Sequence, residues 1–171
     1  GRAPLAVEDC DLREVVADVY ETAGILGESA GVEVATATPN APVSIPADRG
    51  RIRQMLLNLL TNAIKYTPTG GQVDLVLKDQ GADVTLLVRD TGIGIAAGDL
   101  EHIFDRFWRA DVARARSGDR PGVGLGLAIT KWIAEAHGGT IRAESRPGRG
   151  TSFTVTIPRP VEAPAEESAE A

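Results

Sequence analysis

The stretch NLLTNAIKYTP, residues 58–68, closes the strongest helical pattern of the chain. The pattern predicts a helix from Asp48 to Tyr66, which the turn residues 68–71 stop. Apolar side chains recur every three or four positions, so one broad face of this helix should pack on a core. These apolar residues are Ile52, Met55, Leu56, Leu59, Leu60, Ala63 and Ile64.

A second edge of this helix carries polar side chains. Asn58 and Asn62 are four residues apart, and Lys65 and Tyr66 follow three and four residues after Asn62. Carboxamide oxygens can coordinate a hard divalent cation, and an ammonium group can hold phosphate by charge. A solvated helix face explains this spacing equally well, so both interpretations stay open on this segment alone.

A second motif, DTGIGI at residues 90–95, follows a predicted strand. The Asp90 carboxylate can accept a hydrogen bond from an exocyclic amine such as that of adenine, and the glycines let backbone approach a flat ligand. Guanine would present an acceptor there, so purine choice would rest on Asp90. Alone, the motif is better explained as a turn rich in Asp and Gly.

A third motif, GVGLGLA at residues 122–128, opens a helix predicted from about Val123 to His137. Backbone N–H groups at a glycine-rich helix start, together with the helix dipole, favour a phosphate cradle. The spacing fits neither a Rossmann fingerprint nor a P-loop. A flexible hinge is the structural alternative.

Between these motifs, residues 103–109 (IFDRFWR) hold two of the three Phe and one of the two Trp. This concentration predicts a packed anchor for a mobile loop. Five Arg against three Asp between Phe104 and Arg120 predict a lid that faces phosphate. A satellite core with a solvated arginine loop is an equally weighted alternative.

The rest of the pattern predicts an amphipathic helix from Asp11, its N-cap, to about Glu28. Two short strands joined by a turn follow, at residues 31–37 and 43–45, and antiparallel hairpins are predicted at 72–89 and 140–157. The apolar face of the first helix comprises Leu12, Val15, Val16, Val19, Ala23 and Leu26.

Composition bounds the class of protein. A chain of 171 residues is long enough for one domain. Hydrophobic residues make up 43% of it and charged residues 25%, a composition that fits neither a disordered chain nor a membrane protein. A net charge of -6 argues against a nucleic-acid module. The single cysteine, Cys10, excludes an internal disulfide framework and favours a reducing, cytoplasmic setting.

In this order the motifs resemble those of the catalytic, ATP-binding domain of bacterial sensor histidine kinases, within the GHKL superfamily. Residues 58–68 resemble the N box, 90–94 the first glycine box, 103–109 the F box and 122–126 the second glycine box. The resemblance implies an α/β two-layer sandwich, a mixed sheet of about five strands backed by three helices, with ATP between the helices and a lid.

The resemblance also implies roles for the motif residues. Asn62 would ligate Mg²⁺ with help from Asn58, Lys65 would contact phosphate, and Tyr66 would flank the base or ribose. Asp90 would bind the adenine amine, and the residues implied in the transfer itself are Asn58, Lys65 and Arg109. Further implied nucleotide-binding positions are Gly92, Gly94, Ile95, Gly122, Gly124, Leu125 and Gly126.

One position separates kinases from hydrolases in this superfamily. Gyrase, Hsp90 and MutL resemble one another in carrying a Glu four residues before the Mg²⁺-binding Asn, where this chain has Asn58. A carboxamide is not a base near neutral pH and cannot activate water. We therefore expect phosphoryl transfer to a protein acceptor, catalysed by positioning and charge neutralisation.

The acceptor histidine is expected on another domain, because neither His102 nor His137 lies in an H-E-rich motif. The resemblance implies an adjoining dimerisation and phosphoacceptor domain, a response regulator partner and a membrane-bound homodimeric parent, with this fragment cytoplasmic and monomeric. Residues 1–10 are expected to end a linker, 11–158 to form the catalytic domain and 159–171 a disordered acidic tail. A nucleotide-binding regulatory module and an anti-sigma-type serine kinase are the alternatives.

Overall fold

A computed structural model describes residues 4–105 and 123–160 of the chain. These residues form two layers, with three long helices on one face of a five-stranded sheet. In chain order the elements are β1 (Glu8–Asp11), α1 (Leu12–Ala30), β2 (Glu33–Ala37), β3 (Ser44–Ala47), α2 (Arg49–Lys65), β4 (Gln72–Asp79), β5 (Asp83–Asp90), α3 (Ala97–Leu100), α4 (Val123–Ala136), β6 (Thr140–Ser145) and β7 (Thr151–Pro158).

The main sheet has the strand order β2-β4-β5-β7-β6. Strand β2 runs parallel to β4, and every other neighbouring pair is antiparallel. The two predicted hairpins are β4–β5 and β6–β7, and pairing of β5 with β7 joins them. Alternate residues of β4, β5 and β7 are buried, as expected for strands with one covered face. The mixed sheet confirms the predicted α/β two-layer class.

Helix α2 lies in the middle of the helical layer, where it packs on α1 and α4 and on strands β4 and β5. All seven apolar residues predicted for its core face are buried. Asp48 caps its N-terminus by accepting the Arg51 N–H at 3.1 Å, and Tyr66 is its C-cap. The polar edge of α2, which lies within residues 58–66, is therefore in the C-terminal half of the helix.

The two short strands after α1 exist, as predicted, but they do not pair with each other. Strand β2 pairs with β4, whereas β3 pairs with β1 in a separate two-stranded sheet. The reason is that β1, which precedes α1, offers a free edge to β3, and Cys10 of β1 faces Ile45 across it. Residues 8–10, predicted as linker, thus form part of a packed strand, and the Ala6 N–H donates to Asp48 Oδ2 at 2.9 Å.

The apolar face of α1 differs from the prediction at its C-terminal end. Leu26 is 40% exposed, and Gly27 takes the buried position instead. A Cβ on Gly27 would lie 2.6 Å from both Val32 O and Val34 Cγ2. The chain returns from α1 into β2 so closely that no side chain fits there, and Leu26 is turned outward.

After β7 the chain is held to the β4–β5 turn. Arg159 donates to both carboxylate oxygens of Asp79, at 2.6 and 3.1 Å, and to Gly81 O at 3.0 Å. This pairing lowers the pKa of Asp79 to about 2. Residue 159, predicted to begin the tail, is therefore anchored, and the predicted disordered segment from 161 lies outside the described residues. Within the described part of the chain, no helix is long and apolar enough to cross a membrane.

Candidate functional site

Asp90 is the last residue of β5 and is only 7% exposed. Its Oδ1 accepts the N–H groups of Gly92 at 2.8 Å and Thr151 at 3.2 Å. Burial raises the pKa of this carboxyl group, and the two backbone hydrogen bonds offset part of that effect. Among the described residues none donates to Oδ2, so one oxygen is anchored and the other is available as an acceptor.

The first two glycines of the loop after Asp90 are required by the packing of the protein itself. A Cβ on Gly92 would collide with the carbonyl oxygen of Tyr66, at the end of α2. Gly94 has φ +78°, and a Cβ there would collide with Arg146 O. The approach of a flat ligand to these glycines stays a prediction. What the structure shows is that they fix the loop between α2 and the β6–β7 turn.

Hydrogen bonds to the β6–β7 turn hold the same loop from its other side. Ile93 O accepts the Gly148 N–H at 2.7 Å, and the Ile95 N–H donates to Ser145 Oγ at 2.7 Å. Ser145 Oγ also lies 2.8 Å from Gly150 O and 2.9 Å from Thr151 Oγ1.

Sequence reasoning missed the contribution of Ser145, Gly150 and Thr151 to this loop. These residues are 50 or more positions away from it, and their only signal was a glycine-rich turn at 146–150. Pairing of β5 with β7 brings Thr151 opposite Asp90.

The polar edge of α2 faces the start of α4. Asn58 Nδ2 donates to Gly126 O at 3.3 Å, which joins the first and third predicted motifs. Asn62 is half-buried, and none of the described residues forms a hydrogen bond with its side chain. Lys65 Nζ is shielded from solvent and lies 5.4 Å from the centre of the Tyr66 ring. The Asn62 carboxamide and the Tyr66 ring therefore lie one after the other at the C-terminal end of α2, towards the Asp90 loop.

The glycine-rich motif begins α4 as predicted, with Gly124, Leu125 and Gly126 in its first turns. The carbonyl of Gly126 also accepts the hydroxyl of Thr130 at 2.9 Å. Gly122 and Arg109 lie outside the described residues.

The start of the aromatic segment at 103–109 is packed, as predicted for an anchor. Ile103 is 1% exposed, and the Phe104 ring meets Phe153 edge to face with 6.0 Å between centres. Phe153 belongs to the main core, so Phe104 packs there and not in a satellite cluster. The predicted arginine lid falls on residues 106–120, outside the described part.

The two histidines have surface and structural positions. His137 Nε2 accepts the Asp48 N–H at 3.0 Å, and Nδ1 lies 2.8 Å from Ile133 O. This pairing requires a neutral ring with its proton on Nδ1, and it ties the end of α4 to the start of α2. His102 is half exposed beside Asp105.

Comparison with known proteins identifies the family of this chain. The family model described as histidine kinase-, DNA gyrase B-, and HSP90-like ATPase matches residues 47–161. The sensor-like histidine kinase SenX3 of Mycobacterium tuberculosis is 39% identical over 155 residues, which are 91% of this chain and 37% of SenX3. The chain therefore spans little more than a third of the length of that relative.

Two solved structures share the fold. The catalytic domain of histidine kinase ThkA has a TM-score of 0.77 at 29% identity, over 91% of this chain and 97% of that one. Full-length ShkA in complex with AMPPNP has a TM-score of 0.81 at 32% identity, over 96% of this chain and 33% of that one. The chain belongs to the family of histidine kinase-, DNA gyrase B- and HSP90-like ATPases, and over most of its length it is similar to SenX3 and to the catalytic domain of ThkA.

Proposed function

We propose that this domain binds Mg²⁺·ATP and transfers the γ-phosphoryl group to a histidine on an adjoining dimerisation domain, from which a response regulator takes it. The observation that carries the proposal is Asp90, a buried carboxylate with one oxygen anchored and one available beside the polar edge of α2. The complex of ShkA with AMPPNP supports ATP as the nucleotide, and a similar structure of ThkA with the response regulator protein TrrA supports the partner.

Asp90 would select the base. The exocyclic amine of adenine is a donor that Oδ2 can accept, whereas guanine presents a carbonyl oxygen to the same atom. Two like-charged or lone-pair-bearing oxygens repel, so a guanine nucleotide would leave the buried carboxylate without a partner. Tyr66, Gly92, Gly94 and Ile95 would frame the base and ribose.

The residues at the polar edge of α2 fit a nucleotide-bound Mg²⁺ ion. No group of three or more His, Cys, Asp or Glu side chains in the described ranges could hold a metal by itself. Mg²⁺ keeps several waters and commonly takes one or two protein ligands together with substrate phosphates. Asn62 has a carboxamide that no described residue engages, so its oxygen would ligate the ion, and the ion would supply positive charge to the phosphates.

Catalysis would rest on positioning and charge. Asn58 has no basicity to activate water, and its Nδ2 already holds the start of α4, so its role would be to keep the phosphate-facing turn of Gly124–Gly126 against α2. Lys65, Arg109 and the backbone of Gly122 and Leu125 would neutralise and orient the phosphates. We further propose that the parent protein is a homodimer in the bacterial inner membrane with this domain in the cytoplasm.

The transfer is tested by mixing this domain with a separately produced dimerisation domain of its parent and γ-labelled ATP. The expected product is phosphate on the acceptor that is labile in acid and stable in alkali. At ATP concentrations below saturation, the Asp90→Asn variant should form less of it than the wild type. Acid-stable label would indicate a serine kinase instead. ATP binding without any transfer would contradict the kinase proposal and favour a regulatory module.

Asn62→Ala should weaken ATP binding in the presence of Mg²⁺ by about tenfold, the loss of one favourable polar contact. Binding without Mg²⁺ should change little, because Asn62 acts through the ion. Thr61→Ala is the matched control, since the Thr61 hydroxyl is exposed on the same turn. Among the described residues it bonds only within its own helix, to Leu57 O at 2.8 Å and Asn58 O at 3.2 Å. Calorimetric titration with and without Mg²⁺ measures both. Equal losses of ATP affinity with and without Mg²⁺ would contradict the proposal that Asn62 ligates the ion.

A further inference from the structure

We infer that Ser145 is a positioning residue for adenine recognition, which it supports through Asp90 without touching the nucleotide; this inference rests on the proposed function. Ser145 is the last residue of β6 and is half-buried. Its hydroxyl joins three segments that all meet Asp90: the loop through Ile95, the turn through Gly150 and the start of β7 through Thr151. Neither the family motifs nor the sequence pattern marks this serine.

The hydrogen bonds around Ser145 can be assigned a direction. A hydroxyl has one donor and two acceptor positions. The Ile95 N–H takes one acceptor position, and Gly150 O, which can only accept, takes the hydrogen. The Thr151 hydroxyl must then donate into the second acceptor position at 2.9 Å. All three positions of Ser145 are used, so its side chain is held in one orientation.

Each of these contacts bears on the Asp90 carboxylate. The Thr151 N–H is one of the two donors that hold Oδ1, and the Gly150 backbone packs against the carbonyl of Asp90 itself. The Ile95 N–H fixes the far end of the loop whose Gly92 N–H is the second donor. Removal of the Ser145 hydroxyl therefore loosens the segments that carry the two donors of Oδ1 and leaves the Ile95 N–H without its acceptor.

The nearest matched control is Ser152. It carries the same hydroxyl, is half-buried like Ser145 and follows Thr151 directly, but alternation along β7 turns it to the opposite face of the sheet from Thr151. Ser152→Ala therefore removes an equivalent group one strand away while leaving the Asp90 loop intact. Ser145→Thr keeps the hydroxyl and serves as the rescue.

The test is calorimetric titration of each variant with ATP and with purine riboside triphosphate, which lacks the 6-amino group. Ser145→Ala should weaken ATP binding by about tenfold and purine riboside triphosphate binding by less than about threefold, because only the amine contact depends on the orientation of Asp90. Ser145→Thr should return ATP affinity to within about threefold of wild type, and Ser152→Ala should match the wild type.

Two results would overturn the inference. One is an ATP affinity for Ser145→Ala equal to that of Ser152→Ala; the other is an equal loss for both nucleotides, which a merely structural role would give. Should Ser145→Ala fail to fold, Ser145→Cys, with a weaker donor and acceptor of similar size, must show the same selective loss. A wild-type domain that binds no ATP contradicts the proposed function instead. Faster amide exchange at Ile95 in Ser145→Ala then tests the anchoring by itself, and unchanged exchange refutes it.

Discussion

Asp90→Asn is expected to weaken ATP binding by about 10- to 100-fold, the equivalent of one charge-assisted hydrogen bond of roughly 1.5–3 kcal/mol. Three donors need the two oxygens of this side chain: the Gly92 N–H, the Thr151 N–H and the adenine amine. An asparagine has one oxygen, so it can satisfy the backbone or the nucleotide but not both. Calorimetric titration with ATP measures the loss.

The same substitution should leave the domain folded and at least as stable at neutral pH. Burial raises the pKa of Asp90, so the folded state binds its proton more tightly than the unfolded state does. The buried charge therefore costs stability above the raised pKa, and that cost is relieved as pH falls through it. Thermal unfolding of Asp90→Asn should show an equal or higher midpoint at pH 7, with the difference shrinking in acid.

Protonation of Asp90, which relieves the stability cost of its buried charge, should at the same time lower the ATP affinity of the wild type. Binding should weaken as pH falls through the raised pKa of Asp90, because the carboxylate is the stronger acceptor. An Asp90→Asn variant that binds ATP as well as the wild type, or loses binding only because it unfolds, would contradict this assignment.

Gly150→Ala should destabilise the domain by about 1–3 kcal/mol more than Gly148→Ala, the cost typical of forcing a group into a packed site. Both glycines lie in the β6–β7 turn with nearly equal positive φ, +81° and +77°, so both substitutions carry the same left-handed strain. A Cβ on Gly150 would collide with the carbonyl of Asp90, whereas one on Gly148 has nothing within 4 Å. Comparison of the two variants therefore separates the effect of the close approach of Gly150 to Asp90 from the effect of the left-handed backbone conformation.

Thermal unfolding compares the two variants, with an expected gap of roughly 3–10 °C between their midpoints. Gly150→Ala should also bind ATP more weakly than Gly148→Ala, because relief of the collision displaces Asp90, the residue proposed to bind adenine. Equal midpoints for the two variants would show that the turn adjusts without a loss of stability. That result would contradict the conclusion that Gly150 packs tightly against Asp90.

The elements that the sequence predicted well are those whose signal is local. Helix α2 has its apolar stripe and its turn at 68–71 within one segment, and the structure confirms the stripe and the end of the helix before that turn. The hairpins β4–β5 and β6–β7 likewise carry their alternation and their turns in adjacent residues. The motif at 90–95 could be recognised because its Asp and both glycines lie within five residues of one another along the chain.

What the sequence did not reveal depends on partners far along the chain. Strand β1 forms only because β3 lies beside it, and Leu26 is exposed only because β2 returns against Gly27. The support of Asp90 by Ser145 and Thr151 arises from pairing of β5, β7 and β6, more than 50 residues away. Such contacts leave no periodic pattern within a single segment, so they cannot be predicted from the residues of one segment alone.

Calorimetric titration of the wild-type domain with ATP and GTP, each with and without Mg²⁺, decides whether Asp90 selects an adenine nucleotide. The account predicts saturable ATP binding that Mg²⁺ strengthens, and GTP binding weaker by at least about tenfold, because guanine offers Asp90 an acceptor instead of a donor. Equal affinity for the two nucleotides, or no binding of ATP, would contradict it.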